Sequence, residues 1–331
     1  MTAAGGKWYN GRKGTVERGN AMIISASRRT DIPAHYADWF FRRLEEGYAL
    51  VRNPMNPHQV SRVDLSPEAV DGIVLWSKNP APMLGRLESL KPYAYYFQFT
   101  LNDYGEDVEP GVPDLAARID TFRALSDAVG KHRVVWRYDP VLLSPAYTVD
   151  RHLLGFEHIA KSIAGYAEKC VISFLDFYPK IAAAARSLGF IPVSDEQLRR
   201  VAEKLAGIAF SYGFMVDACA EPADLSDLGI GRARCVDDWL LSRIAGRPVI
   251  APKDKNQRPA CNCAASVDIG AYDTCPHGCR YCYANRSARA VAERRRAYDV
   301  SAPLLCSRLD EEDRVTERRA PKTPEQTGFW E

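Results

Sequence analysis

Residues 22–33 read MIISASRRTDIP. A short, largely apolar run breaks into a charged cluster, and a segment of helical length with an apolar face follows at 34–46. The same unit recurs along the chain. YALV (48–51) leads into RNPMNP, GIVLW (72–76) into SKNP, YYFQFT (95–100) into LNDYG, and RVVWR (133–137) into YDP. VISFLD (171–176) leads into FYPK and FMVDA (214–218) into CAEPADL. A last, weaker run, SVDIGAY (266–272), passes directly into DTCPHGCRYC. Helical segments are expected at about 80–90, 113–129, 150–168, 195–212 and 284–297, and only the interval between the second and third runs lacks one. Short strands that are apolar on both faces and alternate with helices predict an α/β fold with a parallel sheet of about eight strands. The expected form is a parallel βα barrel, TIM-like or partial, whose strand carboxyl ends make one polar rim. An open doubly wound sheet is the competing arrangement, and no G-x-G-x-x-G follows the first strand to support its dinucleotide-binding version.

Composition sets the outer limits. The 331 residues are 46% hydrophobic and 26% charged with a net charge of +2, which excludes wholesale disorder. No apolar run approaches the roughly eighteen residues of a membrane span, so a soluble, cytoplasmic protein without membrane association is expected. Residues 1–20 read as a flexible leader, 21–300 as the barrel carrying an iron–sulfur cysteine loop at 261–285, and 301–331 as a polar tail.

Nine cysteines stand at 170, 219, 235, 261, 263, 275, 279, 282 and 306, and five of them crowd between 261 and 282. A disulfide scaffold belongs to short secreted chains, whereas bunched cysteines in a long chain read as metal or iron–sulfur ligands. Cys275, Cys279 and Cys282 form C-x-x-x-C-x-x-C within TCPHGCRYCYAN. Three thiolates on one tight loop suit three irons of a 4Fe–4S cluster and leave the fourth iron open. The competing reading is zinc, with His277 or a distant cysteine as fourth ligand.

With Tyr281 before its last cysteine, this motif resembles the signature of radical S-adenosylmethionine enzymes. The resemblance implies that the open iron chelates the methionine moiety of S-adenosylmethionine. It further implies that reduction yields a 5′-deoxyadenosyl radical and that Tyr281 packs near the adenine. In that superfamily the motif follows the first barrel strand, whereas here it follows the last. A circular permutation preserves the site, because the last strand of a barrel lies beside the first. SASRRTDIP, LWSKNP, FQFTLNDYGEDVEPGVP and VVWRYDPV resemble successive strand ends of the spore photoproduct lyase-like branch. More closely, ISASRRTDIP, WRYDP and DIGAYDTCPHGCRYCYAN resemble the hallmarks of the bacterial family called domain of unknown function 1848.

By that similarity Lys78 meets the cofactor carboxylate, Ser27 or Thr100 contacts its amino acid or ribose, and Asp31 and Arg137 contact cofactor or substrate. The plainer reading for such groups is strand-end ion pairing, for example Arg137 with Asp139 or Asp176. A second set, Cys219, Cys235, Cys261 and Cys263, suits another 4Fe–4S cluster or a zinc ion. Six arginines between Arg280 and Arg296 face one acid, Glu293, which reads as a solvated basic face or a nucleic-acid contact. The expected function is a radical S-adenosylmethionine enzyme, with a flavodoxin or ferredoxin as electron donor and a substrate that includes nucleic acid among its candidates. The alternative is a zinc- or iron–sulfur-stabilised nucleic-acid-binding protein without radical chemistry.

Overall fold

β-Branched and aromatic side chains favour the extended backbone, and in this chain they come in short runs that are apolar on both faces. The computed structural model describes residues 21–318. Its strands are β1 (Ile23–Ala26), β2 (Tyr48–Arg52), β3 (Gln59–Asp64), β4 (Gly72–Ser77), β5 (Tyr95–Thr100) and β6 (Val134–Val141). They continue with β7 (Lys169–Phe174), β8 (Met215–Ala218), β9 (Gly231–Arg232), β10 (Val267–Asp268) and β11 (Arg314–Glu317). Eight of them make one sheet in the order β10-β1-β4-β5-β6-β7-β8-β9, and every pairing in it is parallel. β9 and β10 are its edges, and no pairing joins them among the described residues.

The helices are α1 (Ile32–His35), α2 (Ala37–Glu46), α3 (Leu115–Val129), α4 (Val149–Ser162), α5 (Ala182–Leu188), α6 (Asp195–Ser211), α7 (Asp238–Ala245) and α8 (Ala288–Arg295). A 3₁₀ segment spans Ala81–Leu90. Several starts are written in the sequence. Asp31, Asp114, Thr148, Ser194 and Ser287 each accept a backbone N–H of the first turn of α1, α3, α4, α6 and α8, satisfying one orphan donor apiece. α4 stops at Ser162 rather than near 168, because Gly165 soon turns the chain through the left-handed region at φ +84°.

Alternation gives the sheet two different faces. Ile24, Ile73, Phe97, Trp136 and Ile172 pack against Trp39 and Phe40 of α2, Phe122 of α3, Phe156 of α4 and Leu205 of α6 in one continuous core. Each fully buried side chain of this size contributes about 1.5–3 kcal/mol. Ile23, Val74, Tyr96, Val135 and Val171 point the other way. There they meet Ala233, Val236, Leu241, Val249 and Ala251, so the excursion between β8 and β10, including α7, covers the second face. Gly72 permits this close approach, since a Cβ there would come 2.6 Å from Leu241.

Three expectations need correcting. YALV is not a strand of the main sheet: β2 pairs antiparallel with β3 in a separate three-stranded sheet, which β11 completes. The eighth place in the main sheet goes to the two-residue β9. Residues 301–306, read as the start of a polar tail, are packed, whereas most of 307–318 is exposed: Trp39 donates to the Ala302 carbonyl, Arg43 to that of Ser301, and Leu304, Leu305 and Cys306 are buried. Residues 1–20 and 319–331 lie outside the described residues. No helix of the structure is long and apolar enough to cross a membrane.

Candidate metal centre

The cysteine loop leaves β10, which pairs with β1 in the register Ile24–Val267 and Ser25–Asp268. Asp268 fixes that edge. It accepts from Ser25 Oγ at 3.0 Å, Ser27 Oγ at 2.6 Å, and the backbone N–H groups of Arg28 (2.8 Å) and Gly270 (3.0 Å). Gly270 has no room for a side chain, because a Cβ would lie 2.1 Å from Ser27 Oγ.

The loop is tied at its base. Asp273, at φ +59°, accepts from the N–H (2.6 Å) and Nε (2.7 Å) of Arg286, and its own N–H donates to the Ala284 carbonyl. Asn285 donates to the Cys275 carbonyl at 2.7 Å. Residues 284–286 are thereby spent on closing the loop, and α8 begins only at Ala288 instead of at 284. Gly278 takes the turn at φ +66°. From the other side the exit of β5 clamps the loop. The Gly111 N–H donates to the His277 carbonyl at 2.8 Å, and the Arg280 N–H to that of Val108 at 2.9 Å.

Cys275, Cys279 and Cys282 stand on this tied loop, all as free thiols. Burial pushes the Cys275 thiol up to about 12 and raises those of Cys279 and Cys282, while the three act on one another only through space. The Ala284 N–H already donates to Cys282 Sγ at 3.3 Å. Three soft donors and no disulfide fit an iron–sulfur cluster. In the zinc reading that takes His277 as fourth ligand, that ring is already engaged. Its Nδ1 lies 2.9 Å from the Gly111 carbonyl, and its Nε2 2.9 Å from Asp31 Oδ2. His35 lies beside it at 3.3 Å, and burial pulls the His35 pKa down to about 4. One donor atom each from His35, Cys275 and His277 fall within 4.8 Å of one another, a spacing that could hold a metal ion, with Cys275 and His277 buried and His35 partly exposed.

Lys78 and Tyr281 meet at a carboxylate that sequence reading passed over. Glu109 is buried and accepts from Lys78 Nζ at 2.8 Å and from the Tyr281 hydroxyl, with Arg118 Nη1 at 3.8 Å. Burial works against both charges of the pair. Glu109, with Cys279 nearby, still raises the Lys78 pKa, and Lys78 and Arg118 hold the Glu109 carboxyl below its ordinary range. The Lys78 ammonium also sits 5.5 Å from the Tyr281 ring centroid. Asp31 joins the group structurally: it accepts from Ser77 Oγ and the Lys78 N–H, both at 2.7 Å, besides capping α1.

The remaining candidates go elsewhere. Ser27 is committed to Asp268. Arg137 is buried and ion-paired to Asp139, with its Nη1 2.8 Å from Cys235 Sγ. Thr100 ends β5 half-buried, and its hydroxyl makes no hydrogen bond among the described residues. Cys219, Cys235, Cys261 and Cys263 form a second thiol group, with Cys219 and Cys235 sulfurs 3.3 Å apart. Trp76, at the end of β4, is flanked by Arg28 at 6.0 Å and Arg137 at 5.3 Å, and its buried indole N–H has no partner among the described residues. Glu109, Asp268 and Trp76 lie within the family-like stretches FQFTLNDYGEDVEPGVP, DIGAYDTCPHGCRYCYAN and LWSKNP, but sequence reading singled out none of them as a site residue. Their other sequence signal was position, at or just beyond strand ends.

The site is thus a tied three-cysteine loop at the carboxyl end of a parallel strand, beside a buried Lys–Glu–Arg cluster. The chain belongs to the family described as Domain of unknown function (DUF1848), whose model matches residues 23–284. No curated protein matches it. A crystal structure of a "putative alpha-L-fucosidase" from Bacteroides thetaiotaomicron is similar at 12% identity and a TM-score of 0.25, over 89% of this chain and 98% of that one. A likeness that slight bears on neither fold nor activity.

Proposed function

We propose that the protein is a radical S-adenosylmethionine enzyme, with Cys275, Cys279 and Cys282 holding a 4Fe–4S cluster that has one open iron. The observation that carries this reading is the ligand count: three thiols on a tied loop, with the neighbouring His277 held by Asp31 and Gly111. When bound, the cluster supplies the electron that cleaves S-adenosylmethionine to a 5′-deoxyadenosyl radical. The chain's own residues do the rest. Lys78, released from part of its bond to Glu109, offers the cofactor carboxylate a cation already desolvated, and Tyr281 presents a ring held in place by Glu109. The orphan Trp76 N–H and the unbonded Thr100 hydroxyl, at the ends of β4 and β5, are donors left for a ligand.

The sheet supports a permuted, partial barrel. β10 lies beside β1, so placing it first gives the strand order β10, β1, β4, β5, β6, β7, β8, with the motif after the first strand. The electron comes from an external donor such as a flavodoxin or ferredoxin.

The test is anaerobic purification with iron and sulfide analysis, and EPR of the dithionite-reduced protein with and without S-adenosylmethionine. The expected result is about four irons per chain, a signal that shifts on adding the cofactor, and 5′-deoxyadenosine as a product. Cys279→Ser should lose all three. A reconstituted protein with negligible iron, or a signal indifferent to the cofactor, refutes the reading.

A further inference from the structure

Seven aromatic side chains are exposed among the described residues, and four of them share one place. Phe177 and Tyr178 follow β7, and Tyr272 and Tyr283 follow β10, so all four stand beyond strand carboxyl ends. β7 and β10 lie five places apart in the sheet order, yet their exits meet. Lys180 Nζ donates to the Tyr283 carbonyl at 2.8 Å and lies 5.9 Å from the Tyr272 ring centroid. The Tyr178 and Tyr283 rings are 6.5 Å apart and tilted by 53°, so neither covers the face of the other. Tyr283 is the residue after Cys282, which puts this rim against the cysteine loop.

The rim is also cationic. Arg29 lies 5.3 Å from the Tyr272 centroid and comes no nearer than 3.9 Å to Asp268, which already holds four closer donors. No carboxylate pairs with Lys180 among the described residues, and the exposed Asp176 is ion-paired to Arg258. Beyond Tyr283 the chain runs into α8 and its flanks, where Arg286, Arg289, Arg294, Arg295 and Arg296 are exposed. Among the described residues only Asp273 and Glu293 answer them, one arginine each. Open tyrosine faces beside unpaired cations match the two repeating parts of an unpaired nucleic-acid strand, a planar base and a phosphate. A duplex offers the phosphates but hides the faces of its bases.

We propose that this rim binds single-stranded nucleic acid. Bases stack on Tyr178, Tyr272 and Tyr283, and phosphates meet Arg29, Lys180 and the α8 arginines. A strand held this way lies across the exits of β7 and β10 with a base beside the cysteine loop. That makes it the substrate class of the enzyme proposed above, a step that rests on the radical reading, whereas the binding itself does not.

The test is fluorescence anisotropy of a labelled mixed-sequence oligonucleotide of about twelve nucleotides with the full-length protein, without S-adenosylmethionine. Deoxyribose and ribose versions separate DNA from RNA, and tight binding of either supports the proposal. Tyr178→Ala and Tyr272→Ala should each weaken binding at least about fivefold. Lys180→Ala should reduce the slope of log K against log salt by about 0.7. Two controls should change neither quantity: Trp239→Ala on α7, with that ring 73% exposed, and Lys131→Ala, an exposed cation before the amino end of β6. No binding at about 0.1 M salt overturns the proposal. So does a duplex bound as tightly as the single strand, or an equal loss in the controls. A concentration-dependent dimer that the tyrosine variants dissolve assigns the rim to a second copy of the chain and overturns it too. Cofactor cleavage without strand binding refutes this inference alone, and strand binding without cofactor cleavage refutes only the radical reading.

Discussion

Replacing Glu109 with Gln keeps its shape and removes the one carboxylate that two buried cations share. Lys78 Nζ is 2.8 Å and Arg118 Nη1 3.8 Å from it, with side-chain exposures of 14%, 2% and 1% for lysine, arginine and glutamate. At an effective dielectric of about 20 the two attractions are roughly 6 and 4 kcal/mol, and most of this is offset by the cost of burying the charges. What shows on removal is the uncompensated remainder, about 3–5 kcal/mol for Glu109→Gln. Lys78→Met should cost less, about 1–2 kcal/mol, because it leaves Glu109 with Arg118 as a neutral pair. The double variant should therefore be more stable than the sum of the two single losses implies.

Urea unfolding of the reduced apoprotein, followed by far-UV circular dichroism, measures all three. The pH dependence supplies a second check. The Glu109 carboxyl is depressed below its ordinary value of 4.5 in the folded protein, so its contribution is complete above that value and is lost as pH falls through the folded pKa. The gap between wild type and Glu109→Gln should hold at neutral pH and narrow in acid. Equal costs for the two single variants, or a gap that does not depend on pH, would refute the shared-carboxylate account.

Gly270→Ala should displace Ser27 from Asp268 and destabilise by about 1–3 kcal/mol, read as a lowered Tm, whereas Gly47→Ala, with open space around its Cβ, should show only its left-handed strain. Asp273→Ala removes both bonds to Arg286 at the base of the cysteine loop. Iron of the proposed cluster should then leave to a chelator about 10–100-fold more readily, timed against wild type by absorbance. Arg52→Ala cuts the ties from β2 to Asp313 and to the Arg308 carbonyl, and limited proteolysis should then cleave within 307–318 faster than in wild type.

The extent to which this structure is legible from sequence differs from part to part. The parallel strands from β4 to β7 and their polar exits are readable, because a strand buried on both faces must be apolar throughout. YALV carries the same signature and belongs elsewhere: composition reports burial, while the partner strand comes from Gln59–Asp64, too polar to stand out. Gly231–Arg232 has no β signature, since its two residues are placed by parallel pairing with Asp217 and Ala218. The cysteine loop is legible because its spacing is local. Glu109 and Asp268 are not, because a single carboxylate has no pattern, and their meaning arises only when Lys78, Arg118, Ser27 and Arg28 are gathered from distant strands. The second thiol group lies between. Its C-x-C is visible, but its convergence depends on an excursion that no periodicity announces.

The position of the cysteine loop after the last strand of the main sheet has a consequence during synthesis. The ribosome releases β1, Asp31, Lys78 and Glu109 first and the three loop thiols last. At roughly 5–20 residues per second the receiving wall precedes them by tens of seconds. When Cys275, Cys279 and Cys282 emerge, their docking surface of His35, Asp31 and the Val108–Gly111 turn has already been made. An order with the motif first would leave the same thiols waiting in solvent for their cover, open to oxidation and to the wrong metal.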